Sequence, residues 1–239
     1  MRKIFYIIII FTSLTAHVFG QPHGYRHSFS GSVNYITTSK MFLNPQSSDP
    51  IVRNSHYRFD KIWSYSFEYR INLYNQTILA GVGAEYLSKL KTDFPMRVLR
   101  NDLVRTMNIT DGYELIPIEF TGYYVFPFSG NSFRMVMGGG FGAYIGKHVR
   151  KIGEISVSPV EKKITFGFHV TAGAEYFVYD FVSIRFDMKF RDPDFEVKSK
   201  YSPTETTING DRIRVLNNEF YSRINVDGIN FIFGLAVHF

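Results

Sequence analysis

Glu68, Arg70, Glu85, Glu119, Arg134, His169, Glu175, Arg185, Asp187 and Lys189 are the residues whose types could do chemistry in this 239-residue chain. Each stands in a stretch where apolar residues occupy every second position. His169 with Glu175 or Asp187 has the composition of an acid–base set. The simpler reading is a hydrogen-bonded network of charges enclosed together, because a buried charge must find a partner. His56 and His148 fall outside the alternation and show no Ser-His-acid spacing. Gly138 to Gly142 is glycine-rich but opens no helix, so it is not a phosphate loop; close packing is the better account. No metal-ligand spacing is visible and no cofactor is implied. The chain has no cysteine, which excludes disulfides and thiol catalysis.

The elements that must position these residues are β-strands. From Asn225 to Phe239, Ile229, Phe231, Phe233, Leu235, Val237 and Phe239 alternate with small or polar residues. That is the period of a strand with two unlike faces. The same period predicts strands over Tyr25–Tyr35, Trp63–Leu73, Ile78–Tyr86, Ile116–Phe126, Phe133–Ile145, Thr165–Val178 and Val182–Arg191. Pro117 cannot donate to a ladder and is expected near a strand end or rim. Short links at 74–76, 127–132 and 179–181 alternate with long segments at 37–57, 88–112, 147–163 and 192–223. The second long segment has Met96, Leu99, Leu103 and Met107 at spacing that suits a short surface helix. Ser158-Pro159 suggests a hairpin tip in the third, and Asn209-Gly210 a type I′ hairpin in the fourth.

The first residues read as a signal peptide, 1–20. Arg2 and Lys3 precede an apolar run, Ile4 to Phe11, too short to span a membrane, and Val18-Phe19-Gly20 resembles a cleavage site. Residues 21–239 then form one barrel domain. An eight-stranded barrel has an interior just wide enough for side chains. The polar faces are mostly small, with a few charges; the apolar faces are crowded with Phe, Tyr, Ile and Trp63. Volume therefore places the small and charged set inside and the aromatic set against lipid, with Tyr35, Trp63, Tyr86, Phe126 and Phe133 as girdles. The link at 179–181 sets a register with Glu175 opposite Arg185, Gly173 opposite Asp187 and Thr171 opposite Lys189. A charge-filled lumen of this width is expected to conduct poorly.

The signal sequence, eight amphipathic strands, alternating long and short connections and the terminal Phe239 together resemble the small outer-membrane β-barrel proteins, of the OmpX and OmpA-barrel kind. The resemblance implies an all-β fold: an eight-stranded antiparallel up-and-down transmembrane β-barrel. It implies a monomer in the outer membrane of a Gram-negative bacterium, and Phe239 as the signal read by the assembly machinery. The expected partners are outer-membrane lipid and lipopolysaccharide, with Lys89, Lys91, Arg97, Arg100 and Arg105 as candidate phosphate contacts, and a surface protein. Nucleic acid is not expected for an exported chain, despite its net charge of +6. The function expected is non-enzymatic, through long extracellular loops. A narrow channel or lateral conduit for small hydrophobic solutes is the alternative, and a lipid-modifying barrel enzyme ranks below it.

Overall fold

The computed structural model describes residues 24–130, 132–160 and 164–239. The proposed signal peptide lies outside them. Alternation becomes thirteen strands: β1 (His27–Phe42), β2 (His56–Tyr74), β3 (Ile78–Arg100), β4 (Leu103–Val125), β5 (Phe133–Ile152), β6 (Ile155–Pro159), β7 (Ile164–Tyr179), β8 (Val182–Arg191), β9 (Asp194–Ser202), β10 (Glu205–Ile208), β11 (Asp211–Arg214), β12 (Glu219–Asn225) and β13 (Ile229–His238). One short helix, α1 (Pro50–Asn54), starts on an Asp49 cap that accepts the Ile51 N–H, with proline in its first turn.

Eight strands close a ring in the order β1-β2-β3-β4-β5-β7-β8-β13, all antiparallel, and β13 returns to β1. Closure removes the sheet edges. At the seam His27 and Phe239 exchange both backbone hydrogen bonds at 2.9 Å. β7 and β8 pair with Glu175 opposite Arg185 and Asp187 opposite Gly173. Outside, the ring carries an apolar belt that includes Phe67, Val82, Phe120, Phe141, Phe186 and Leu235; Phe168 is 84% exposed. Inside it is polar.

The long segments are not loops. β1 to β5 continue past the belt, and β6, β9 and β12 take the places of β7, β8 and β13 beside them. The result is a crown above the ring. Its inside is apolar: Ile36, Ile62, Leu87, Phe94, Tyr113, Leu115, Phe195 and Ile224 are buried in one cluster. β4 and β5 pass from the polar to the apolar interior on one parity, with Glu119 and Tyr113 both inward and only the residue types changing, whereas β1 to β3 add a shift by one residue. β1 and β2 make it together. Ser30, Asn34 and Ile36 point inward below Thr37, and Ser39 and Met41 above it; Ile62 and Ser64 point inward below Lys61, and Phe59 above it. Lys61 has the left-handed φ of 54° at this break. β3 makes the shift at a bulge between Lys91 and Phe94.

Several expectations need correction. Residues 95–107 form a β-hairpin, not a helix. Asn101 and Asp102 both have positive φ and close it, and Met96, Val98, Met107 and Ile109 serve the core at the period of a strand. The tip in the third segment is Gly153-Glu154, with Gly153 at φ 58°, and Ser158-Pro159 lies at the end of β6. Pro117 sits inside β4 opposite Tyr144, where the ladder to β3 is interrupted between Ala84–Ile118 and Leu87–Leu115. Its missing donor is tolerated there because β3 makes no bond at that level. Asn209-Gly210 forms the hairpin that its chemistry predicts, with φ of 52° and 85°.

Candidate functional site

The lumen is built from inward positions on strands that pass one another in a narrow ring. At its middle, Arg70 Nε donates to Glu68 Oε2 at 2.7 Å, and its guanidinium lies 3.8 Å from the centre of the Tyr123 ring. The Tyr123 hydroxyl donates to Glu68. Arg185 crosses the lumen to the same carboxylate, Nη2 to Oε2 at 2.9 Å, and donates to Ser30 Oγ at 2.8 Å. Asp187 stands 3.5 Å from Arg185 and 3.6 Å from Arg70.

One layer higher, Arg191 holds Glu85 with two hydrogen bonds of 2.7 and 3.0 Å and reaches Glu119 at 3.2 Å. Lys189 Nζ meets the other oxygen of Glu119 at 2.5 Å. Tyr144 and Ser64 donate to Glu119 and Glu85 at 3.0 and 2.6 Å. At the lower mouth, Glu175 accepts from Ser183 at 2.6 Å and faces His238 Nε2 at 3.2 Å. Arg134 donates to Gln76 and covers the Phe177 ring. Arg70, Arg134, Arg185, Lys189 and Arg191 thus share the lumen with an equal number of carboxylates. A cavity of about 30 Å3 remains at mid-lumen, room for about two water molecules.

All ten residues read from the sequence as lumen groups point into this space. Their pairing differs from expectation in one respect. Glu175 and Arg185 are neighbours in the ladder but not ion partners, because in a ring this narrow the Arg185 side chain reaches the opposite wall. His169 meets Thr121 Oγ1 through Nε2 at 2.8 Å, a hydrogen bond of the enclosed network and not an acid–base set with Glu175 or Asp187. Arg191, Tyr123, Tyr144, His238 and the serines were not singled out as network members. Parity alone could have added Arg191, two positions beyond Lys189.

A second polar cluster lies in the crown, where the sequence shows no Ser-His-acid spacing. His148 Nδ1 stands 2.8 Å from Ser222 Oγ, and Nε2 stands 2.5 Å from Asp111 Oδ1. Arg150 donates to Asp111 at 2.6 and 3.1 Å and to the Tyr201 hydroxyl at 2.7 Å. Burial lowers the His148 pKa, even with Asp111 beside it. Burial would raise the Asp111 carboxyl, but hydrogen bonds and charge from His148 and Arg150 outweigh it and hold the group below the ordinary range. A neutral imidazole therefore donates to Asp111 and accepts from Ser222. The order of groups is that of a hydrolytic triad, yet the His148 and Asp111 side chains are 0% exposed. Here they tie β4 and β5 to β12, and Arg150 extends the tie to β9.

Of the loop cations, Lys89 donates to the Lys61 carbonyl at 3.0 Å, Arg100 pairs with Asp211, and Lys91, Arg97 and Arg105 are exposed. Among the described residues no group of His, Asp and Glu has the geometry of a metal site.

The ring, its outer apolar belt and its charged lumen together define the class of the fold: a small eight-stranded outer-membrane β-barrel. No family model matches the sequence, and no curated protein matches it. Among solved structures the chain is similar to the outer membrane protein OprG from Pseudomonas aeruginosa. That match has 10% identity and a TM-score of 0.54, over 90% of this chain and 96% of that one. It is also similar to Neisserial surface protein A, with 10% identity and a TM-score of 0.44, over 89% and 97% of the two chains. A third match is Ail, the attachment invasion locus protein of Yersinia pestis, solved with the heparin analogue sucrose octasulfate. It has 10% identity and a TM-score of 0.47, over 90% and 99% of the two chains.

Proposed function

We propose that this protein is an integral outer-membrane barrel without enzymatic activity. Its ordered crown presents an extracellular surface to the envelope or to a partner protein, and its lumen does not conduct. The observation that carries the reading is the stacking of two closures. Ion pairs cross the lumen at Glu68, Glu85 and Glu119, and the apolar core of the crown lies directly above them. Water and ions would have to break both. Purified protein in planar bilayers is expected to show negligible steady conductance. Large, stable open-channel currents would overturn the reading. Fractionation tests the location: the protein is expected in the outer membrane, with heat-modifiable migration on a gel.

A lateral conduit for small hydrophobic solutes has one observation in its favour. β5 pairs with β7 up to Ile145 and with β6 only from Lys151, so residues 146–150 have no ladder partner on that side among the described residues. The Phe195 ring fills this window: a Cβ on Gly146 would lie 2.1 Å from it. Uptake of a hydrophobic solute by liposomes carrying Phe195→Ala, but not the unchanged protein, would identify the window as a gated route.

A further inference from the structure

Ladder pairing between β2 and β3 stops at Ser64–Leu87. Above it β2 pairs with β1 and β3 with β4, until β11 joins β3 at Leu99 and Arg100. The wall therefore opens into a notch at the top of the belt. Lys61 stands on one side of it, with a φ that a non-glycine residue adopts rarely and at a cost. Lys89 stands on the other, and its ammonium donates to the Lys61 carbonyl at 3.0 Å. That bond fixes the ammonium and leaves further donors open. Lys91 follows two residues on, exposed. Around the same level Lys40, Arg58 and Lys147 pair with Asp227, Asp60 and Glu114. Lys61, Lys89 and Lys91 form no ion pair among the described residues.

Below the notch the surface turns aromatic. Trp63, Tyr65 and Tyr86 are each about half exposed. Tyr65 and Tyr86 are ladder partners, and the Tyr35 ring lies 5.1 Å from that of Trp63. Two residues of strand separate Trp63 from Lys61, roughly 7 Å. A molecule that fits is anionic at one end and apolar at the other, with the two ends spaced as headgroup and acyl chains are at the membrane boundary.

Resting on the outer-membrane reading, we infer that this notch is a binding site for the phosphorylated headgroup of an outer-leaflet glycolipid, the lipid A part of lipopolysaccharide. Lys61 and Lys89 hold a phosphate by charge-assisted hydrogen bonds, Lys91 attracts it from above, and acyl chains lie along Trp63, Tyr65 and Tyr86. The site uses two of the five loop cations singled out in the sequence and adds Lys61. Arg97, Arg100 and Arg105 belong to the hairpin higher up, and Arg100 is already paired with Asp211.

The test is native mass spectrometry of the folded full chain in detergent, titrated with bisphosphorylated lipid A or with the same lipid stripped of phosphate. Bisphosphorylated lipid A is expected to bind at least roughly tenfold more tightly than the stripped form, as loss of charge-assisted hydrogen bonds implies. Lys61→Ala with Lys89→Ala should remove that preference, and Arg97→Ala with Arg105→Ala should keep it. Equal retention of both lipids by the unchanged protein would overturn the site, as would an undiminished preference in the lysine variant. If the lysine variant fails to fold, the comparison of the two lipids on the unchanged protein still decides. Heat-modifiable migration is measured on the same samples. Its failure would count against the barrel, whereas loss of lipid preference in a folded barrel counts against the site alone.

Discussion

The ring and the crown are two solutions of one alternating pattern. In the ring, Phe186 and Phe168 face outward and Arg185 and His169 inward. In the crown, Phe195, Tyr201 and Ile224 face inward while Lys198, Lys200 and Arg223 lie toward the outside. The ring is stable only where its surroundings are apolar, since its belt would otherwise expose a large hydrophobic surface. The crown has the inside-out distribution of a water-soluble protein. Five strands carry both arrangements along their own length: β4 and β5 on one unbroken parity, and β1 to β3 with a shift of one residue. The change of interior is written in residue type, since Ile36, Ile62 and Leu87 already belong to the crown core on the ring side of the shifts at Thr37, Lys61 and Lys91.

The sharpest break of this contrast is a matched pair of substitutions, one in each interior. Arg191→Ala would leave Glu85 and Glu119 without their shared partner and should cost about 3–5 kcal/mol, as for other buried pairs broken on one side. Phe195→Ala removes an aromatic ring from the crown core and should cost about 3–5 kcal/mol as well. The consequences should separate in space. Hydrogen exchange should rise in the ring for the first and in the crown for the second. A uniform rise in both variants would show that the two regions unfold as one.

A smaller effect sharpens the contrast of the outer faces. Phe186→Arg puts a charge in mid-belt and should cost about 2–4 kcal/mol in lipid. Asn108→Arg makes the same addition on the exposed face of the β3–β4 hairpin and should stay within about 0.5 kcal/mol. Folding titrations in vesicles measure both, and equal costs would contradict the position of the belt.

The smallest expected effect is that of pH on the crown. Burial holds His148 below its ordinary value of about 6.5. The unfolded crown therefore binds a proton first as pH falls, and stability present above that value declines below it. Asp111 has its carboxyl held low, so the crown loses further stability as pH falls through the ordinary carboxylate range. Protection of crown amides should drop between about pH 7.5 and pH 5.5. No drop in that window would show that His148 does not govern the crown.

The ring was legible because each of its strands repeats one choice many times. Phe231 to Phe239 and Val182 to Arg191 alternate without interruption, so strand, facing and register follow from parity. The crown was not legible for the converse reason. Its strands include β1 to β3 after a one-residue shift and short pieces such as Ile155–Pro159 and Glu205–Ile208. Met96, Leu99, Leu103 and Met107 suggest a helix because their window runs across the hairpin turn at Asn101 and Asp102, where one alternation ends and another begins. Asp111, His148 and Ser222 are far apart in sequence, and only the approach of β12 to the β4–β5 side brings them together.

The sequence by itself determined eight amphipathic strands, their short turns, and the set of charges that face the lumen, because a period of two needs only neighbours along the chain. Which charge meets which was decided by tertiary structure. Strand pairing places Arg185 beside Glu175, but the diameter of the ring carries its guanidinium across to Glu68. The same holds for the notch above Trp63 and Tyr86. Lys61 and Lys89 meet there because two strands that pair below Ser64 and Leu87 stop pairing above them, and no local pattern marks the place where a ladder ends.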